Sequence, residues 1–172
     1  MIDRVLIDTL NLRARDFAVR WKDAIRKNQQ LKHFNEMDDN ALIEADAKLY
    51  PLLARTLDRG LDRSLVGDFF VTQGKNYMQN GFPVSEAIFA LNLNQKTIIE
   101  YMMTEFAPEN PMRMYQSMGA LTNVAEFCLL GSFYISKGFL EETYTSMSAS
   151  DKVSEELLKK YFKDDFFFKK KD

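Results

Sequence analysis

At 172 residues, with 46% hydrophobic and 28% charged positions, the chain can enclose one substantial core but hardly two, so one domain is expected. A formal net charge of −2 supplies no broad positive field and disfavours nucleic-acid binding. A lone cysteine, Cys128, rules out an internal disulfide, and neither a secretory leader nor an uninterrupted apolar run of about 18–20 residues is visible, which points to a cytoplasmic chain without a transmembrane segment.

Helical periodicity dominates from the start. Between Ile2 and Asn28, Leu6, Leu10, Phe17, Trp21 and Ile25 recur at helical intervals, which predicts an amphipathic helix. Its outer face carries Arg4, Arg13, Arg15, Arg20, Lys22, Arg26 and Lys27; a phosphate-binding stripe would look like this, but a solvated helix face is the simpler reading. Residues 33–40 read as a connection, because Asn35, Asp38, Asp39 and Asn40 favour turns and caps. A second helix is expected over Ala41–Leu57, broken or kinked at Pro51 and ended by Gly60. Ser64 is placed to cap a third, with Leu65, Phe69, Val71 and Met78, ending at Asn80-Gly81, and Pro83 opens a fourth over Val84–Phe106.

After Pro108 and Pro111 comes the most distinctive segment, a long helix over Met112–Tyr144. Met114, Met118, Leu121, Ala125, Cys128, Ser132, Ile135 and Phe139 step by 4 and 3, a helix-packing seam built partly of small residues. Phe127, Leu129, Leu130, Phe133 and Tyr134 spread apolar character over the other faces, so the helix must be buried in a core or against a partner. A homodimer with Leu121, Cys128, Ile135 and Phe139 at the interface is the economical explanation; the alternative is the central helix of a monomer, with Gly119, Gly131 and Gly138 admitting close crossings. A final helix over Asp151–Phe162 precedes the ending KDDFFFKKKD, whose Phe166, Phe167 and Phe168 suit a membrane surface or partner groove but more simply return to the core or to a dimer mate. The pattern is an all-α, single-domain helical bundle of five to six helices around one long central helix, with residues 1–145 as the main body and 146–172 as a C-terminal helix and tail.

The chemistry-bearing patterns are few. The chain has no glycine-rich phosphate loop, no zinc-binding spacing and no nucleophile elbow. Its single histidine, His33, is available to ligate haem or sense protons, but a surface or capping role is expected. Asp38-Asp39, Glu141-Glu142 and Asp164-Asp165 are adjacent, so on a helix their side chains diverge by about 100° and share no proton. Cys128, on an apolar face, is expected to be inert.

Three stretches, FAVRWKDAIRKN, LYPLLARTLDRGLD and YMQNGFPVSEAIFALNLNQKTIIEYM, together resemble the N-terminal sensor domain of RsbR-type proteins, the RsbT co-antagonists of bacterial stressosomes. The likeness spans roughly residues 5–145 and rests on Arg20-Trp21, Gly81-Phe82 and the apolar helix from Ile88 to Tyr101, all packing or turn features. It implies a globin-like or related helical sensor, usually dimeric, feeding an output domain such as a phosphorylatable STAS domain or a kinase. The residues after the long helix are too few for a STAS domain, which implies a stand-alone sensor or a piece of a longer protein. Globins hold iron through a late histidine, and none follows Ser64, so no haem is expected.

The resulting expectation is a non-enzymatic signalling domain without a cofactor or metal. A small apolar ligand or a protein partner would bind between the third, fourth and fifth helices near Phe69, Met78, Phe89, Met118 and Phe127, and shift the dimer interface on the long helix. Each of those five is more often plain core. An adaptor module with no small ligand is the alternative, and a haem protein using His33 a more distant one.

Overall fold

The computed structural model describes residues 4–105, 111–162 and 167–168. They form nine helices and no strand: α1 (Arg4–Leu12), α2 (Ala14–Arg26), α3 (Lys32–Glu36), α4 (Asp39–Asp46), α5 (Leu49–Arg59), α6 (Arg63–Gln79), α7 (Val84–Glu105), α8 (Pro111–Ser148) and α9 (Glu155–Tyr161). The fold is all-α, as the periodicity predicts, with finer segmentation than five or six helices. The first predicted helix is interrupted only at Arg13, where Arg13 N–H still reaches Thr9 O (2.8 Å) and Phe17 N–H reaches Arg13 O (3.2 Å).

The expected break at Pro51 falls earlier, at Ala47–Lys48. Pro51 instead occupies the first turn of α5, where its missing N–H has no intrahelical partner to lose. Asp38 caps α4, its carboxylate accepting from Asn40 N–H (2.9 Å) and Ala41 N–H (3.2 Å). Gly60 ends α5 at φ +86°. At the end of α6, Phe82 N–H reaches Tyr77 O (2.9 Å) and Gly81 N–H reaches Met78 O (3.1 Å), with Gly81 at φ +76°. This double closure is accompanied by the contact it favours, the Tyr77 and Phe82 rings lying 5.5 Å apart.

α8 runs four residues past its expected end, through Ser148. The hydroxyls of Thr143, Thr145 and Ser148 bond back to the carbonyls of Phe139, Glu141 and Tyr144, so these residues do not compete with the helix. α9 starts later than expected because Ser154 is its cap, accepting from Leu157 N–H (3.3 Å).

The chain divides into two compact units, each assembled from two stretches: one takes residues up to Asp62 with Phe89–Leu129, the other Arg63–Ile88 with residues from Leu130 onward. In the first, α1 packs on α5 and α2 on α4 around Leu10, Phe17, Ile25, Leu53, Ile98 and Phe127, all almost fully buried. Trp21 donates its indole N–H to Ala90 O at 2.8 Å. Much of the basic stripe of α1 and α2 is occupied within this unit: Arg4 pairs with Asp58, Arg13 with Asp16, Arg15 with Glu44, and Lys22 and Arg26 with Asp39. Arg26 also donates to the carbonyls of Phe34 and Met37, tying α3 down.

In the second unit α6 crosses α8 at backbone contact. A β-carbon on Gly74 would overlap the carbonyl of Ile135, and one on Gly138 would overlap that of Val71. The C-terminal segment groups with this unit: Tyr144 contacts Phe162 and Phe167, and the Phe168 ring lies 5.1 Å from Tyr134 and against Gly67. The Phe168 N–H donates to Glu141, a buried carboxylate also paired with Lys75 at 3.0 Å. Two of the three tail phenylalanines thus return to the chain's own packing; Phe166 lies outside the described residues.

Candidate functional site

Among the described residues, a cluster of buried polar side chains lies in the first unit. Asp46 ends α4, Tyr50 lies in the first turn of α5, and Asn94 sits midway along α7; all three are buried. The Tyr50 hydroxyl is 2.7 Å from Asp46 Oδ2 and 2.6 Å from Asn94 Oδ1, while Asn94 Nδ2 donates to Asp46 Oδ1 at 2.6 Å. The three side chains close a hydrogen-bonded ring. Phe17 stacks on Tyr50 at 5.1 Å, and Tyr101 meets Phe17 edge-on at 4.7 Å, sealing the ring with apolar surface.

Burial dominates the electrostatics. It pushes the Asp46 carboxyl up to about 7, against the opposing hydrogen bonds from Asn94 and Tyr50. Burial and the neighbouring Asp46 charge hold the Tyr50 phenol well above its ordinary range. The Cys128 thiol, fully buried nearby, is pushed up to about 12 by desolvation and then by Asp46, so it is neutral and unreactive.

This ring was missed by the sequence reading, although a signal existed. Asp46 continues an apolar ladder between Leu42 and Tyr50, and Asn94 stands between Ala90 and Ile98; polar residues at core register positions require partners.

The residues expected to line a ligand pocket fall in both units. Phe69 and Met78 are half-buried in the second unit, whereas Phe89, Met118 and Phe127 belong to the first. Phe127 is fully buried, while Phe89 and Met118 are 39% and 58% exposed. Met118 and Phe127 are nine residues apart on α8, which puts them on opposite faces. The expected dimer seam also needs correction. Cys128 and Ile135 are buried inside the chain and cannot meet a second copy, and Leu121 and Phe139 are half-buried on the same side. The outward side of α8 is a different stripe, Met118 and Leu129 (71% exposed) in the first unit and Phe133 (58%) and Leu140 in the second.

From Ser117 to Ser148, α8 is long and apolar enough to cross a membrane by length and composition, with mean hydropathy 1.3 and 39% of its most apolar window buried. Its apolar run is interrupted by Glu126, Lys137, Glu141 and Glu142. Residues that pack inside a helical core produce the same apolar average, and Phe127, Cys128 and Ile135 are of that kind. His33, the remote haem candidate, is half-buried on the five-residue α3. Among the described residues no cluster of three or more His, Cys, Asp or Glu side chains stands ready to hold a metal ion. No protein-family model, curated protein or solved structure matches the chain.

Proposed function

We propose that this chain is a non-enzymatic regulatory domain of the RsbR-type sensor class that works in the cytoplasm as a homodimer and signals through the outward stripe of α8. The observation that carries this reading is that stripe: Met118, Leu129, Phe133 and Leu140 are large apolar side chains left exposed on a helix whose opposite side is packed. Exposed apolar surface of this kind is stabilised by covering it. An isologous contact needs only one such patch, because each copy presents the same surface to the other. A protein partner using the same stripe would produce the adaptor form of the reading.

The catalytic part of the proposal rests on burial. Among the described residues, the groups with strongly raised pKa values, Asp46, Tyr50 and Cys128, are all buried, which supports a non-catalytic reading. Native mass spectrometry with an absorption spectrum tests the whole reading. A colourless dimer, with or without a bound small molecule, is expected; a monomer at micromolar concentration would remove the dimer-coupled mechanism.

A further inference from the structure

We infer that the Asp46–Tyr50–Asn94 ring is a proton-binding site: it closes around one bound proton and opens when that proton leaves, which makes the packing of α4 and α5 against α7 sensitive to pH.

The argument is a count of hydrogens. Three contacts of 2.6–2.7 Å join the three side chains, and each needs one hydrogen between its heavy atoms. Tyr50 owns one hydroxyl hydrogen and cannot donate to Asp46 and Asn94 at once. The Asn94 amide contributes one N–H to the ring, and its oxygen end contributes none. An ionised Asp46 contributes none either, which leaves two hydrogens for three contacts. One contact would then press two oxygen lone pairs together at about 2.6 Å in a dry interior. Turning the Asn94 amide over moves the deficit to another contact but leaves the count unchanged.

A proton on Asp46 completes the set. Asp46 Oδ2–H donates to the Tyr50 oxygen, Tyr50 O–H donates to Asn94 Oδ1, and Asn94 Nδ2–H donates to Asp46 Oδ1. Deprotonation transfers that proton to water and leaves a buried carboxylate with one repulsive neighbour contact, which relaxes by separating the α4–α5 corner from α7.

Among the described residues, no cation acts on the Asp46 carboxylate to hold it ionised. From α5 the ring meets Tyr50, and from α7 Asn94, which does not titrate. From α8 comes Cys128, whose thiol is neutral. From α2 comes Phe17, while Arg15, Lys22 and Arg26 of that helix pair with Glu44 and Asp39 at the exposed edge of α4. Desolvation therefore governs Asp46, and its carboxyl, raised to about 7, releases the proton within the neutral range.

The test is infrared difference spectroscopy of the full chain titrated from pH 5 to 9, reading the carbonyl stretch of a protonated carboxyl. Wild type is expected to show this band at low pH and lose it near neutrality; Asp46→Asn, which supplies its own N–H to Tyr50, is expected to lack it and stay folded. Tyr50→Phe keeps the carboxyl but breaks the ring, and is expected to shift the midpoint of the band. Absence of the band in wild type at pH 5, its persistence to pH 9, or an unchanged midpoint in Tyr50→Phe would each overturn the proposal. If Asp46→Asn does not fold, the wild-type and Tyr50→Phe titrations decide alone.

Discussion

Gly74 of α6 lies so close to the carbonyl of Ile135 in α8 that no β-carbon fits between them. Gly138 of α8 stands in the same relation to Val71 of α6, so the crossing is held by two reciprocal glycine-to-backbone contacts. Backbone cannot move aside as a flexible side chain would, so added bulk forces the helices apart. Gly74→Val and Gly138→Val are each expected to lower stability by about 1–3 kcal/mol or more, as overpacked cores do. Gly119→Ala meets open space and, as a helix-interior glycine, is expected to be neutral or stabilising by up to about 1 kcal/mol. Urea denaturation of the three variants checks the contrast.

Asp46 gives the molecule a defined acid-side stability profile. Its folded pKa of about 7 lies above the unfolded value of about 3.9, so between these pH values the folded state holds more of this proton than the unfolded state does. Its contribution is fully present below about pH 4 and is lost as pH rises through about 7. The slope is up to about 1.4 kcal/mol per pH unit, an upper bound of about 4 kcal/mol over the window. Denaturation midpoints measured at intervals from pH 4 to 8 should therefore fall more steeply in wild type than in Asp46→Asn, where this contribution is absent. Equal slopes would show that Asp46 does not titrate differently on folding.

Much of this architecture is legible in periodicity alone. Leu10, Phe17, Trp21 and Ile25 are buried as their spacing predicts, and Gly60 and Gly81 end helices at positive φ as their identity predicts. Long-range geometry is not legible in that way. The seam through Cys128 and Ile135 has the spacing of a partner interface, and periodicity is the same whether the partner is a second copy or the chain itself. The division into two units is silent too, because each takes residues from two separated stretches and no linker marks the boundary. The ring escapes because Asp46, Tyr50 and Asn94 are joined only once α7 returns to the α4–α5 corner, 44 residues after Tyr50.

Cys128 provides a probe of the first unit's opening. The thiol is fully buried and pushed up to about 12, so both access and thiolate formation are suppressed in the folded state. An aromatic disulfide reagent at pH 8 is expected to label it only at the rate at which this region opens, and rapidly in denaturant. Labelling of the native protein at the rate of a free thiol would contradict the burial.

The two sides of α8 predict opposite outcomes for one substitution. Leu129 and Phe133 are 71% and 58% exposed, so a glutamate at either position disturbs little internal packing and is expected to change stability by no more than about 0.5 kcal/mol. In the proposed dimer the same change places like charges in an apolar contact and, by the two-fold relation, does so twice. Leu129→Glu and Phe133→Glu should therefore yield folded monomers in sedimentation velocity. Ile135→Glu buries an unpaired charge inside the chain and should instead unfold the protein or lower its Tm sharply. If both outward variants remain dimeric, this stripe of α8 is not the dimer interface.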